Sequence, residues 1–266
     1  MNTPIVVNVK KKRITELLAN GKRVDGRAPT EYRKLDVESG VIERAEGSAR
    51  VHLGKTDVIV GVKVGTGKPF PDMPDKGVLT VNAELVPLAS PAFEPGPPGE
   101  QAVELARVVD RGIRESKAID LEKLCVESGK QVFVVFIDVY VLNHDGNLID
   151  ASAIAALAAL INTKMFKYTV EDGEIVKKPG YTPLPVVNHP VAVTFAKIGN
   201  KLILDTSLDE EEVMDARLTI TMDKEGHIVA MQKGGGSGYF TKEEILEAVK
   251  IASEKTLQLR KIVVKS

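Results

Sequence analysis

The chain has 266 residues, with 36 Lys and Arg residues against 37 Asp and Glu residues and a formal net charge of −1. Its 43% of hydrophobic residues suffice for a core, and with a single cysteine they exclude a disordered chain, a collagen-like repeat and a disulfide scaffold. A charge this close to zero also argues against nucleic-acid binding through an overall positive potential, so any such binding must come from local patches.

The sequence carries no pattern of a membrane-targeted protein. The basic residues 10–13 are not followed by the apolar segment of a signal peptide. The longest apolar stretch, Ala151 to Ile161, is far shorter than the roughly 20 residues that a membrane span needs. Cys125 has no partner for an internal disulfide bond, which is typical of a reducing compartment. We therefore expect a soluble, cytoplasmic protein with no membrane partner.

The first 90 residues predict a helix followed by strands. A helix over residues 8–20 places Ile14, Leu17 and Leu18 on one face and ends at Gly21, so it should dock onto another element. A loop with turn dipeptides follows. Apolar segments separated by Gly or Pro then predict a meander of four strands: Leu35 to Ser39, Ala49 to Leu53, Asp57 to Val64 and Leu79 to Leu88.

Two helices and a long strand should complete the first half. A Pro- and Gly-rich connection over 87–99 precedes an amphipathic helix from Glu100 to about Ser116. The apolar, β-branched run Gln131 to Leu142 predicts a central strand covered on both faces. Asp150 can cap a helix from Ala151 to about Phe166, which is apolar enough to be buried between layers.

The second half shows the same order of elements. Thr241 and Glu244 form a capping box at the start of the last helix. Turn signals separate the strands that precede it, which are Val191 to Ile198, Lys201 to Asp205, Arg217 to Met222 and His227 to Gln232. Strands followed by helices, twice over, predict an internally duplicated α+β fold with pseudo-repeats at about 30–170 and 188–262.

An arginine stripe lies on the helix that starts at Glu100. Arg107, Arg111 and Arg114 are spaced i, i+4 and i+7, nearly opposite the apolar face. Three guanidinium groups in a row suit a phosphodiester backbone. The alternative is a solvated face on which the arginines pair with the acidic residues of the same helix, Glu104, Asp110 and Glu115.

Other clusters point less clearly to chemistry. Six acidic residues cluster between two predicted strands: Asp205, Asp209, Glu210, Glu211, Glu212 and Asp215. Such a cluster can bind Mg²⁺ or supply a general acid, or it can be a solvated loop. The four histidines show no metal-ligand spacing, so no zinc site is expected. The glycine run 234–238 matches neither a Walker loop nor a dinucleotide fingerprint and favours a flexible turn.

Four blocks of sequence resemble the RNase PH family. They are RVDGR at 23–27, EGSARVHLGKTDVIVGVK at 46–63, ELARVVDRGIRES at 104–116 and IDVYVLNHDGNLIDASAIAALAAL at 137–160. Within the family the chain is most similar to the non-catalytic members of the archaeal exosome ring. The resemblance implies one RNase PH-like domain over 1–266, of the ribosomal protein S5 domain 2-like fold, with mixed sheets and central and flanking helices.

The resemblance also decides how the candidate site is interpreted. Active members hold phosphate at a helix N-terminus with a Gly, hydroxyl, Arg, hydroxyl sequence, because a dianion needs several donors. Here the corresponding residues are Gly146 to Ile149 (GNLI), flanked by Asp145 and Asp150. Asp209 and Asp215 keep the six-residue spacing of the family's acidic pair. Without a phosphate site we interpret them as structural or vestigial, and we expect no catalytic residue, cofactor or metal.

The implied partners are those of a ring subunit. The resemblance implies a heterodimer with a catalytic RNase PH-like paralogue, three such dimers around a channel for single-stranded RNA, and RNA-binding cap subunits with S1 or KH-type domains. In that channel Arg107, Arg111 and Arg114 become RNA contacts, with Arg114 the one most able to pair with a neighbouring carboxylate instead. Two alternatives stay open: an active phosphorolytic homohexamer, and a metal-dependent exoribonuclease that uses Asp209 and Asp215.

Overall fold

A computed structural model describes residues 4–171 and 174–265, and five α-helices and twelve β-strands lie in these two ranges. The helices are α1 Pro4–Ala19, α2 Glu100–Glu115, α3 Leu148–Asn162, α4 Leu208–Glu211 and α5 Lys242–Val263. The strands are β1 Leu35–Ser39, β2 Gly47–Leu53, β3 Thr56–Gly67, β4 Val78–Leu85, β5 Cys125–Glu127, β6 Gln131–Asn143, β7 Lys164–Glu171, β8 Glu174–Pro183, β9 Val191–Ile198, β10 Lys201–Leu204, β11 Ala216–Met222 and β12 Ile228–Gly234.

The first sheet has the strand order β1-β2-β3-β6-β4, with β5 paired to the end of β6. β4 runs parallel to β6, whereas the other neighbours are antiparallel. The predicted four-strand meander is therefore wrong at its last strand, because β6 inserts between β3 and β4. Parallel pairing of β4 and β6 needs a crossover, which the connection over 86–99 and α2 supply.

The apolar sequence of β6 predicted a central strand covered on both faces. β6 is central in the sheet, but only one of its faces is covered. Val135, Ile137 and Val139 are fully buried, whereas Phe136 and Tyr140 are 38% and 37% exposed. Side chains alternate between the faces of a strand, so one face of β6 packs on the core and the other is open. Strands β9 and β11 of the second sheet, by contrast, are buried on both faces.

α3 lies between the first sheet and the second sheet, whose strand order is β10-β9-β11-β12. The burial of α3 agrees with its apolar sequence. The helix ends at Asn162 rather than near Phe166, because Thr163 is extended and the N–H of Lys164 donates to the carbonyl of Glu46. Strands β7 and β8 pair as an antiparallel hairpin, which the sequence patterns did not predict.

α1 packs on the second sheet through a small apolar cluster of its own. Ile14 and Leu18 are buried against Ala196, Ile198 and Ile203. The helix begins at Pro4, four residues before the predicted start, and proline is well tolerated in the first turn of a helix. Among the described residues, no helix combines the length and the apolar character that a membrane span requires.

Candidate functional site

The N-terminus of α3 is built on a tight left-handed turn. Asn147 is the N-cap residue, with φ 51°, and its side-chain oxygen accepts the N–H of Asp150. The prediction that Asp150 caps this helix is therefore wrong. Gly146 has φ +89°, and a Cβ atom there would lie 2.4 Å from the carbonyl oxygen of Thr206. Only glycine allows this turn to approach residues 206–208 so closely.

A carboxylate of the chain itself already binds this helix terminus. The N–H of Asn147 donates to Oε1 of Glu211 at 2.7 Å, and the Thr206 hydroxyl donates to the same oxygen at 3.2 Å. Burial raises the pKa of Glu211. Residues 147–149 offer neither a hydroxyl nor a guanidinium group. The N–H of Asn147 and the positive end of the helix, which could bind phosphate, thus face an internal carboxylate instead.

A cavity of about 370 Å³ adjoins this turn. It is lined by residues of α2, the start of α3, α4 and β11, among them Glu104, Leu148, Glu211 and Arg217. Arg217 pairs with Glu104, which also accepts a hydrogen bond from Gln232. The arginine of this lining is therefore engaged by a carboxylate.

The arginines of the RVDGR block are structural. Arg23 and Glu210 form a buried ion pair, with Nε of Arg23 2.9 Å from Oε1 of Glu210. Arg27 pairs with the buried carboxylate of Asp205 at 2.9 Å. Sequence reasoning saw these carboxylates as solvent-facing or metal-binding. Arg27 also pairs with Asp25 of its own loop at 2.6 Å, so no sequence signal indicated that the two arginines reach Asp205 and Glu210.

Asp205 is the centre of a wider cluster. Its carboxylate accepts hydrogen bonds from Arg33 at 2.7 Å and from the side-chain amide of Asn147 at 2.9 Å. Arg33 also donates to the carbonyl oxygens of Asp145 and Gly146. The turn before α3 is therefore fixed from both sides, by an arginine of the first half and a carboxylate of the second.

Asp150 points into the protein rather than toward a ligand. It accepts hydrogen bonds from the hydroxyl of Tyr32 at 2.7 Å, the side-chain amide of Asn147 at 2.9 Å, and both the N–H and the hydroxyl of Thr194. Burial raises the pKa of Asp150 to about 6 in spite of these donors. Its role is to connect α3 with β9 in the core.

The structure divides the arginine stripe of α2 into two kinds of residue. Arg107 and Arg111 are exposed, and no ion pair or hydrogen bond engages their side chains in the described part of the chain. Arg114 instead pairs with Asp110 at 2.6 Å and donates to the carbonyl of Leu79. The three guanidinium groups line an open depression of about 440 Å³ beside β4.

Asp209 and Asp215 both face the N-terminal helix. Asp209 pairs with Lys10 at 2.6 Å, and Asp215 pairs with Lys11 and accepts the N–H of Gly199. Although burial opposes it, hydrogen bonding to Lys11 and Gly199 lowers the pKa of Asp215. Both carboxylates are thus engaged by cations of the chain itself.

Within residues 4–171 and 174–265, one group of side chains has ligand atoms close enough to hold a metal ion. Asp223, Glu225 and His227 place a ligand atom each within 4.8 Å of one another, in the turn between β11 and β12. Nδ1 of His227 lies 3.1 Å from Oδ2 of Asp223. The sequence predicted a turn over 223–226 and the start of a strand at His227.

Fold and site together define a duplicated α+β protein with two exposed arginines on one helix and a carboxylate of the chain itself bound at the N-terminus of another. Residues 31–165 match domain 1, and residues 188–255 match domain 2, of the 3′ exoribonuclease family. The chain belongs to this family, also called RNase PH, which confirms the resemblance and the fold class.

Several proteins of known name or structure are similar to the chain over nearly its whole length. The exosome complex component Rrp42 of Thermococcus gammatolerans is 58% identical over 264 residues, which cover 98% of this chain and 96% of that protein. Its counterpart in Methanothermobacter thermautotrophicus is 52% identical over 256 residues, which cover 96% and 94% of the two chains. A chain of the Archaeoglobus fulgidus exosome with RNA bound to the active site superimposes with a TM-score of 0.88 at 49% identity, covering 97% and 98% of the chains. Rice Rrp46, at 19% identity and a TM-score of 0.69, shares the fold.

Proposed function

We propose that this chain is a non-catalytic subunit of an archaeal exosome. It forms the hexameric ring with a catalytic RNase PH-like paralogue, shapes the active site of that paralogue and helps to position single-stranded RNA for 3′-to-5′ phosphorolytic degradation. The similarity to proteins named exosome complex component Rrp42, and to chains of two archaeal exosome structures, supports this assignment.

The occupied terminus of α3 carries the non-catalytic part of the proposal. Phosphorolysis needs inorganic phosphate held next to the scissile bond, and a dianion needs several donors once it leaves water. Here the N–H of Asn147 is bound to Glu211, and the following residues are Leu148 and Ile149. A phosphate ion at this position would meet a carboxylate and apolar side chains.

Arg107 and Arg111 carry the RNA-positioning part. They are exposed, and the described residues provide no internal partner for either side chain. Their contacts with phosphates would be independent of sequence and weakened by salt. Arg114 contributes less, because its guanidinium is shared with Asp110 and the carbonyl of Leu79. Asp209 and Asp215 then have a structural role, since each binds a lysine of α1.

The remaining partners follow from the same proposal. The ring consists of three heterodimers with the catalytic paralogue, and RNA-binding cap subunits with S1 or KH-type domains bind to it. Such a complex acts on RNA in the cytoplasm. No cofactor is assigned to this chain.

A phosphorolysis assay with three samples tests the proposal: this chain alone, the catalytic paralogue alone, and the two co-expressed. Each is given a 5′-labelled RNA with and without inorganic phosphate, and nucleoside diphosphates are measured. We expect none from this chain alone and phosphate-dependent release from the co-expressed pair. Release of diphosphates by this chain alone would contradict the proposal. Release of monophosphates that requires Mg²⁺ or Mn²⁺ and is lost in Asp215→Asn would instead establish a hydrolase.

A further inference from the structure

The β7–β8 hairpin carries a group of lysines that form no ion pair with any described residue. Lys164, Lys167, Lys177 and Lys178 are all exposed, and none forms an ion pair in the described part of the chain. The three acidic residues of the hairpin sequence all fall within 171–174. In a chain of net charge −1, this is a local concentration of positive charge. We call the four lysines together with Tyr181 the hairpin patch.

Two of these lysines lie side by side in the ladder. Lys167 pairs with Lys178, and directly paired residues of antiparallel strands have neighbouring side chains on one face. Like charges at such positions are destabilising. A bulge follows, in which Gly180 has φ +103° and the Lys167 side chain lies within 3.7 Å of the position a Cβ atom would take. Phe166 and Tyr181 pair on the other side of the bulge, so strand alternation places them on the face of the hairpin opposite Lys167 and Lys178.

Aromatic side chains share that second face with Lys164 and Lys177. Tyr181 pairs with Phe166 across the ladder and is 69% exposed, so its ring is open to a ligand. Nζ of Lys177 lies 4.4 Å from the ring centre of Phe166, a cation–π distance. Phe166 itself contacts Phe133 of β6 edge to face, with ring centres 5.7 Å apart. The hairpin is thus fixed to the first sheet while its lysines and Tyr181 face solvent.

We propose that the hairpin patch binds single-stranded RNA, in addition to the arginines of α2. The choice of RNA as the ligand rests on the proposed function. A polyanion with regularly spaced charges neutralises adjacent lysines, and an exposed aromatic ring stacks on a base regardless of sequence. An acidic surface of a partner protein would satisfy the lysines but would leave Tyr181 without a role. A two-stranded ribbon is also a shape that nucleic-acid-binding proteins use.

Fluorescence anisotropy of the full-length chain with a labelled 20-nucleotide RNA at low salt tests this inference. Lys167→Glu with Lys178→Glu should raise the Kd by about tenfold or more and reduce its salt dependence, because fewer counterions are released on binding. The matched control is Lys242→Glu with Lys250→Glu, the same charge change at two exposed lysines of α5. An equal Kd for the hairpin variant, the control and the unmodified chain would overturn the inference.

A second variant tests the stacking contact without a change in charge. Tyr181→Ala should raise the Kd about tenfold, while Tyr181→Phe should retain the affinity because its ring can still stack. If Tyr181→Ala and Tyr181→Phe bind RNA with equal affinity, the ring of Tyr181 does not stack on a base.

The phosphorolysis assay separates failure of this inference from failure of the proposed function. If the co-expressed ring is active but the hairpin variant binds RNA normally, only the hairpin assignment is lost. If that variant binds RNA normally and no longer assembles with the paralogue, the patch binds a protein. An inactive ring would contradict the proposed function even where the hairpin variants weaken RNA binding.

Discussion

The backbone N–H of Asn147 donates a 2.7 Å hydrogen bond to the carboxylate of Glu211, so the first turn of α3 binds an anion that α4 supplies. The two residues are 64 positions apart in the sequence. The contact satisfies one of the free N–H groups that every helix N-terminus carries and places a negative charge at the positive end of the helix. It also explains how the turn at Gly146 and Asn147, which has no hydroxyl or arginine side chain, is held in place.

Glu211→Ala should lower the free energy of unfolding by about 1–2 kcal/mol, because it leaves the N–H of Asn147 and the hydroxyl of Thr206 without their acceptor. Urea unfolding followed by circular dichroism measures this as a lower midpoint with an unchanged slope. The control is Glu247→Ala on the exposed face of α5. If both variants unfold at the same midpoint, the contact does not stabilise the protein.

Two glycines of similar conformation separate the effect of backbone strain from that of steric contact. Gly26 has φ +84° with nothing within 4 Å of an added Cβ, whereas at Gly146, with φ +89°, the Cβ would lie 2.4 Å from a backbone oxygen. Gly26→Ala should cost about 1–2 kcal/mol from the left-handed backbone alone. Gly146→Ala should cost several kcal/mol more or prevent folding, as thermal unfolding can show. If Gly26→Ala and Gly146→Ala lose the same free energy of unfolding, the backbone at Gly146 can move to make room for the added Cβ.

The buried pair of Arg23 and Glu210 should be costly to break from one side. Glu210→Gln should lower the free energy of unfolding by about 3–5 kcal/mol, because it leaves an uncompensated guanidinium in the core. Arg23→Met combined with Glu210→Met should recover part of the loss, since neither charge is then buried. The exposed pair Lys34–Asp36 is the control, and Asp36→Asn should leave the urea midpoint unchanged. A double variant less stable than Glu210→Gln would contradict this account.

The elements that the sequence predicted well are those with a local signal. The bounds of β1 and β9 agree with their apolar patterns, and Thr241 and Glu244 form the predicted capping box. The pairing of β6 between β3 and β4 depends on contacts between residues 57–67 and 132–143, which no local pattern reveals. The β7–β8 hairpin was missed because the helix prediction was extended to Phe166, and a bulge interrupts the alternation of the strands.

The candidate site was predictable only in part. The spacing of Arg107 and Arg111 was enough to place them together on the exposed face of α2. The role of Glu211 was not visible, because in the sequence it is one of several neighbouring carboxylates and its partner lies in the other half of the chain. What distinguishes it is burial next to a helix N-terminus, which is a property of the tertiary structure.

Asp150 should make stability depend on pH in a defined window. Its pKa rises from 3.8 to about 6 on folding, so between these values the folded protein binds more protons than the unfolded chain. The contribution of Asp150 to the free energy of unfolding therefore falls as pH rises from 4 to 6, by about 3 kcal/mol in total. Asp150→Asn removes this slope although it also loses hydrogen bonds. Urea unfolding at pH 4, 5, 6 and 7 gives the pH dependence of the free energy of unfolding for the unmodified chain and for Asp150→Asn. An equal dependence in both proteins would show that Asp150 titrates at its ordinary pKa.

Reversing the charge of the two exposed arginines Arg107 and Arg111 should weaken RNA binding by the assembled ring. Arg107→Glu with Arg111→Glu should raise the Kd for single-stranded RNA about tenfold or more at low salt and lower the rate of phosphorolysis, because each lost phosphate contact reduces counterion release. Arg114→Ala should have a smaller effect, since Asp110 already shares its charge. Anisotropy measures the affinity, and size-exclusion chromatography checks that the ring stays intact.

The charge reversal is informative only against a matched variant, and Lys242→Glu with Lys250→Glu on α5 provides the same change in net charge away from the stripe. Because bulk electrostatics at low salt act on both variants alike, the difference between them isolates local contacts made by Arg107 and Arg111. If both variants weaken RNA binding equally, the stripe acts only through the overall charge of the ring. If neither weakens it, α2 does not contact the RNA, and the path of the strand must follow other residues of the ring.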